Sequence, residues 1–192
     1  MRLFQLLCIT FLFLITGTTF AQESDTNNIK QQALALYATK NFPQAEKLLD
    51  NLPPDEKNEE IYLILSNLAL ENNDTNLAIQ NLNKALDKNP NFYKAYYNLG
   101  NIFIEKGSYI LAQNNYELAL ENNKTNPAIY YNLAYSQMKL KNYKTAKKNL
   151  IKSLELEPMN KNAYYNLALC YKELNKTKQA KKILEKYNEL NK

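Results

Sequence analysis

The sequence predicts an all-α protein made of helix pairs stacked in series. Three observations lead there. The pentapeptide Tyr-Tyr-Asn-Leu-small recurs at Tyr96, Tyr130 and Tyr164, at a constant interval of 34 residues; a fixed period of about 20 to 50 residues marks stacked supersecondary units. Within each interval, large apolar and small residues return at helical spacing. Breakers also fall at repeating places, with Lys106-Gly107-Ser108 and Lys141-Asn142 inside the interval and Pro90 and Pro158 near its end.

Taken in order, the chain starts with Met1-Arg2, an apolar stretch from Leu3 to Ile15, and then Gly17-Thr18-Thr19-Phe20-Ala21. Residues 1–21 read as a secretory signal peptide cleaved before Gln22, with the small Thr19 and Ala21 at the cleavage point. A 13-residue apolar stretch falls short of the roughly 20 apolar residues that span a bilayer, so retention as a membrane tether is the second reading. Cys8 lies inside the apolar stretch instead of after it, which argues against lipidation.

Residues 22–58 hold a linker and a degenerate first repeat from Thr26 to Asn58, in which Ala33, Ala45 and Leu49 fit the pattern while Gln32 replaces an expected leucine. Four clearer repeats occupy 59–92, 93–126, 127–160 and 161–192, the last ending without an obvious capping helix. With each repeat counted from 1, position 4 is Tyr62, Tyr96, Tyr130 and Tyr164, and position 7 is Leu65, Leu99, Leu133 and Leu167. Position 8 is always small, as Ser66, Gly100, Ala134 and Ala168, and position 20 is Ala78, Ala112, Ala146 and Ala180. Small residues at 8 and 20 let the two helices of a pair approach closely, while position 24 (Leu82, Tyr116, Leu150, Leu184) fills the space beside them. Asp74, Ser108 and Asn142 stand where the second helix wants an N-cap. The prolines end the second helix, because proline lacks the N–H and restricts the residue before it.

This pattern resembles the tetratricopeptide repeat, whose motif has an aromatic at 4, Leu at 7, Gly or Ala at 8, an aromatic at 11, Ala at 20 and 27, and Pro at 32. Tyr93 to Asn126 meets nearly all of it, with Phe103 at 11 and Ala119 at 27. Gln137 at 11, Ser153 and Tyr187 at 27, and Lys124 at 32 depart from it. The resemblance implies a right-handed α-α superhelix of about five helix-turn-helix repeats, with the first helices lining a concave binding groove. It also implies the type of a small exported bacterial member of the family.

Composition narrows the function. There is no His and no Trp, and the sole Arg is Arg2. Without His the commonest general base and metal ligand is missing. Only Gly100 and Gly107 follow the predicted signal, so a glycine-rich phosphate cradle is excluded. The sequence therefore predicts no catalysis, no metal, no cofactor and no small-molecule substrate. After cleavage, 24 basic and 19 acidic residues become 23 and 19, a mild excess of +4. Lysine clusters at Lys144–Lys152 and Lys176–Lys186 read as solvated outer faces, and nucleic-acid binding as a remote alternative. Cys170, at position 10, reads as a small buried hydrophobe.

The resemblance places positions 2, 5, 6, 9 and 12 on the groove. Those positions supply Lys94, Tyr97, Asn98, Asn101, Tyr131, Asn132, Tyr135, Met138, Tyr165 and Asn166 as candidate peptide-binding residues. A column of Asn amides offers donors and acceptors to a peptide backbone, and the Tyr column adds apolar area with a polar tip. Chaperone-type carboxylate clamps of this family need Lys at position 5 and an Arg; Leu63, Tyr97, Tyr131 and Tyr165 stand at that position. The expectation is a periplasmic or secreted adaptor of the bacterial envelope that binds a protein or peptide. The chain is expected to be a monomer or weak dimer, with no nucleic-acid partner and no stable membrane insertion after cleavage.

Overall fold

The computed structural model describes residues 25–190; the predicted signal segment 1–21, with Cys8 and the cleavage point before Gln22, lies outside them. The described residues form ten helices and no strands. Helix α1 covers residues 25–38, followed by α2 (Phe42–Asp50), α3 (Glu59–Glu71), α4 (Thr75–Lys88), α5 (Tyr93–Glu105), α6 (Tyr109–Asn122), α7 (Pro127–Lys139), α8 (Tyr143–Leu156), α9 (Lys161–Glu173) and α10 (Thr177–Glu189). Helices α3, α5, α7 and α9 all start at position 1 of the 34-residue interval and α4, α6, α8 and α10 at position 17. The chain divides between Lys84 and Ala85 into two compact units.

One backbone device joins the helices of each pair. Lys40, Asn73, Gly107, Lys141 and Asn175 have φ between 57° and 71°. In each case that residue's N–H bonds three residues back and the next N–H bonds five residues back, as in Gly107 N to Ile104 O (2.9 Å) and Ser108 N to Phe103 O (2.8 Å). This is the Schellman arrangement, which satisfies the last carbonyls of the first helix. It occurs five times, including at Lys40, where the side-chain pattern is weakest.

The expected caps divide. Asp74 Oδ1 accepts from Leu77 N at 2.9 Å. Ser108 and Asn142 make no side-chain cap; their ψ values of 64° and 55° turn the side chain away from the next turn's N–H groups. The first helices α3, α7 and α9 are capped instead by Asn58, Asn126 and Asn160, whose side chains accept from Ile61, Ala128 and Ala163 N, each at 3.0 Å, while α5 has Phe92 at that place and no side-chain cap. Proline is also less decisive than its chemistry suggests. α6 ends at Asn122, the same repeat position as the ends of α4 and α8, although Lys124 stands where they have Pro. Asn123 Oδ1 accepting from Thr125 N (3.0 Å) forms the turn there.

In the first unit, Ala33, Ala45, Leu49, Ile61, Leu68 and Ala78 are fully buried. Gln32, at the expected leucine position, is exposed and bonds to Asn28. Polar ties supplement this core: Lys30 Nζ lies 2.6 Å from Glu60 Oε2, Thr26 Oγ1 3.2 Å from Glu56 and Tyr37 OH 3.1 Å from Glu71.

In the second unit α6 packs between α5 and α7, α8 packs between α7 and α9, and α10 packs on α9. Ala112, Tyr116 and Ala119 of α6 meet Ile129 and Leu133 of α7, and Ala146 and Leu150 of α8 meet Ala163, Leu167 and Cys170 of α9. α5 also touches α7, and α7 touches α9, so the odd-numbered helices stack on one another. At Gly100, position 8 of its repeat, the close approach is to the second helix of the same pair, through the aromatic at position 24. A Cβ on Gly100 would lie 2.5 Å from Tyr116 Cε1, so the glycine makes room for the aromatic at position 24. The departures at Gln137 and Ser153 are matched by hydrogen bonds, from Asn149 Nδ2 to Gln137 Oε1 (2.9 Å) and from Ser153 Oγ to Pro127 O (3.0 Å). Among the described residues no helix is long and apolar enough to cross a membrane.

Candidate functional site

The ten candidate residues all belong to the stacked odd-numbered helices of the second unit. α5 carries Lys94, Tyr97, Asn98 and Asn101; α7 carries Tyr131, Asn132, Tyr135 and Met138; α9 carries Tyr165 and Asn166. Lys94 and Tyr165 are exposed, and the other eight are half-buried. Met138 and Tyr131 pack partly against the α7–α8–α9 core, and Tyr97 against the α6–α7 core.

A hydrogen-bonded ladder joins the Asn and Tyr columns. Asn132 Nδ2 donates to Tyr97 OH at 3.2 Å, and Asn166 Nδ2 donates to Tyr131 OH at the same distance. Each bond runs from position 6 of one repeat to position 5 of the repeat before it. Asn132 Nδ2 also donates to Asn101 Oδ1 (3.0 Å), which accepts a second bond from Tyr116 OH (2.8 Å). Asn101 thus links α5, α6 and α7.

The ladder changes what the surface offers. The donors of Asn132 and Asn166 are turned toward neighbouring repeats, while their Oδ1 atoms accept no hydrogen bond among the described residues. The surface therefore presents amide acceptors beside aromatic rings. Tyr135 lies under the Lys139 ammonium, 5.2 Å from its ring centroid, and Tyr165 packs against Tyr187 at 5.6 Å between centroids.

Burial sets the acid–base properties. Desolvation raises the Tyr116 phenol far above its ordinary range, and it raises the Tyr131 phenol against the opposing effect of the Asn166 bond. Both therefore stay neutral and able to hydrogen-bond at any physiological pH. Burial, with Glu173 nearby, pushes the Cys170 thiol up to about 11. A thiol so protonated and enclosed is a packing group and a poor nucleophile. No group of His, Cys, Asp or Glu able to hold a metal ion occurs among the described residues.

Sequence reasoning did not single out Tyr116 or the cross-repeat bonds. Tyr116 was legible only as a position-24 aromatic; its hydroxyl reaches Asn101 because Gly100 lets the ring lie close to α5. A separate open cleft of about 540 Å³ has Glu117, Lys141, Lys144 and Leu174 in its lining, and none of the ten candidate residues reaches it.

The sequence matches the family described as Tetratricopeptide repeat protein 21 C-terminal ARM domain over residues 17–148, and the family described as Tetratricopeptide repeat over residues 137–192. The chain belongs to the tetratricopeptide repeat family. No curated protein sequence matches it. Solved structures of MamA share the fold. "MamA AMB-1 P212121" superposes with a TM-score of 0.74 at 19% identity, covering 86% of this chain and 91% of that one. "Crystal structure of MamA protein" gives 0.75 at 22% identity, covering 86% and 91%. "MamA 41-end from Desulfovibrio magneticus RS-1" gives 0.75 at 19% identity, covering 88% and 95%. At such identities the likeness is one of fold, a tetratricopeptide-type helical solenoid.

Proposed function

We propose that this chain is a non-enzymatic adaptor of the bacterial envelope, periplasmic or secreted, that holds a segment of a partner polypeptide against the α5–α7–α9 surface. Membership in a family of protein-interaction scaffolds supports the general part of the reading. The observation that carries the specific part is the Asn–Tyr ladder. It holds Asn132 Oδ1 and Asn166 Oδ1 as unused acceptors one repeat apart, with Tyr rings beside them. Backbone N–H groups of an extended peptide match those acceptors, and rigid aromatics supply interface energy at low entropic cost.

Photo-crosslinking in the envelope fraction tests this. A benzophenone side chain placed at Tyr165 or Lys94, both exposed, should capture a discrete polypeptide; the same group at Asn114, on the outer face of α6, should not. Equal capture from both faces would remove the groove. One alternative is a tethered chaperone or assembly factor that keeps its N-terminal segment with the apolar stretch from Leu3. N-terminal sequencing separates the two, since Gln22 as first residue supports export with cleavage and Met1 supports the tether.

A further inference from the structure

The even-numbered helices carry a second surface, independent of the proposed groove. Positions 18, 22 and 26 of a repeat fall four residues apart and share one helix face. In α8 they are Lys144, Lys148 and Lys152, and in α10 they are Lys178, Lys182 and Lys186. All six are exposed. Only the last of each stripe is neutralised, by Lys152–Glu155 at 2.9 Å and Lys186–Glu189 at 3.0 Å. The other four have no acidic partner among the described residues. A solvated helix face ordinarily alternates signs at this spacing, because like charges four apart repel. Here the repulsive arrangement is built twice, one repeat apart.

The same positions one repeat earlier, in α6, are Ile110, Asn114 and Leu118. Ile110 is 65% exposed and Leu118 38%. Ile151, beside Lys148 and Lys152 on α8, is 36% exposed. One face of the second unit thus passes from uncovered apolar side chains to two cationic stripes.

We infer that this face docks on an anionic phospholipid surface, with the lysines at the level of the headgroup phosphates and Ile110 and Leu118 entering the boundary of the acyl region. Charge complementarity selects an anionic occupant. The exposed apolar flank selects a lipid surface over a charged polymer, since interfacial binding combines apolar burial with attraction to anionic headgroups. No Arg occurs among the described residues, so the bidentate phosphate contacts that favour nucleic acid are missing. With no membrane-crossing helix among the described residues, the association is peripheral.

Vesicle co-sedimentation of the full chain tests the inference. The vesicles are phosphatidylcholine alone, or phosphatidylcholine with about one-third phosphatidylglycerol, each at low and high salt. The readout is the difference between the vesicle types, because the apolar stretch at 3–15 can add to binding on both. Each lysine near an anionic surface is worth about fivefold in partitioning. Lys144→Gln/Lys148→Gln/Lys178→Gln/Lys182→Gln should therefore reduce the anionic preference on the order of several hundredfold, with helix content unchanged by circular dichroism. Ile110→Ser/Leu118→Ser should lower the binding that survives high salt. Equal wild-type binding to both vesicles, or an anionic preference that survives the quadruple change, overturns the inference. So does lysine-dependent binding to polyglutamate or duplex DNA without binding to the anionic vesicles, which would assign the face to a polymer.

Discussion

Replacing Gly100 with Ala should destabilise the protein, although the substitution improves helix propensity. The added Cβ would lie 2.5, 2.7 and 2.8 Å from three carbons of the Tyr116 ring. That ring is fully buried and its hydroxyl is held 2.8 Å from Asn101 Oδ1, so it cannot swing aside without breaking the Asn101 junction. Overpacking of this kind costs about 1 to 3 kcal/mol, while Gly→Ala inside a helix returns about 0.5 to 1 kcal/mol. The net loss is about 1 to 2 kcal/mol, or several degrees in Tm for a chain of this size. Urea denaturation followed by circular dichroism measures it. Repeats 4 and 5 carry the compensating combination at the corresponding positions, Ala134 with Leu150 and Ala168 with Leu184. Gly100→Ala/Tyr116→Leu should therefore cost less than the sum of its single changes, with a coupling of about 1 kcal/mol or more in the double-mutant cycle. Gly107→Ala is the control. Nothing lies within 4 Å of its Cβ, so its cost comes from a φ of 71° alone and should not couple to Tyr116. A neutral Gly100→Ala, or additivity with Tyr116→Leu, would refute the packing argument.

Other outcomes follow from the same structure. Ser66, at position 8 of its repeat, is fully buried with its hydroxyl unpaired among the described residues; Ser66→Ala should raise stability by about 1 kcal/mol in urea titration. Lys141 holds φ at 61° in the turn where repeat 3 uses glycine, so Lys141→Gly should stabilise by about 0.5 to 1 kcal/mol, seen as a higher Tm. Tyr116 and Tyr131 keep their protons to higher pH when folded than when unfolded. Their contribution is complete below the unfolded phenol range and is lost as pH rises above about 10, at up to about 1.4 kcal/mol per pH unit for the fully buried Tyr116. Denaturation midpoints measured from pH 8 to about 11 should fall accordingly, and Tyr116→Phe should flatten the decline.

The sequence alone determined the architecture. A 34-residue interval with a large residue at 4, a small one at 8 and alanine at 20 admits few solutions, because each helix pair must bury its face on the next. Helix starts at Glu59, Tyr93, Pro127 and Lys161 follow that interval. The positive-φ turn was partly legible, since Gly107 announces it while Lys40 and Lys141 do not. The choice of caps was legible only in part, since Asp74 caps α4 as expected. Ser108 and Asn142 have capping side chains, yet the backbone angle at the turn points them elsewhere.

The candidate surface divides in the same way. Its residues could be read from the period, because equivalent positions in a repeat share one environment. Which atoms those residues leave available was decided only when the repeats stacked. Asn132 and Asn166 offer both donors and an acceptor in the sequence, but cross-repeat contact engages Asn132 Nδ2 with Tyr97 and Asn101 and Asn166 Nδ2 with Tyr131, and leaves the acceptors. Tyr116 meets Gly100 and Asn101 for a related reason: its ring lies between helices whose separation depends on a missing Cβ. Periodicity is a one-dimensional property and survives in the sequence. Hydrogen-bond direction and interhelical distance arise between segments distant along the chain, so only the tertiary structure decides them.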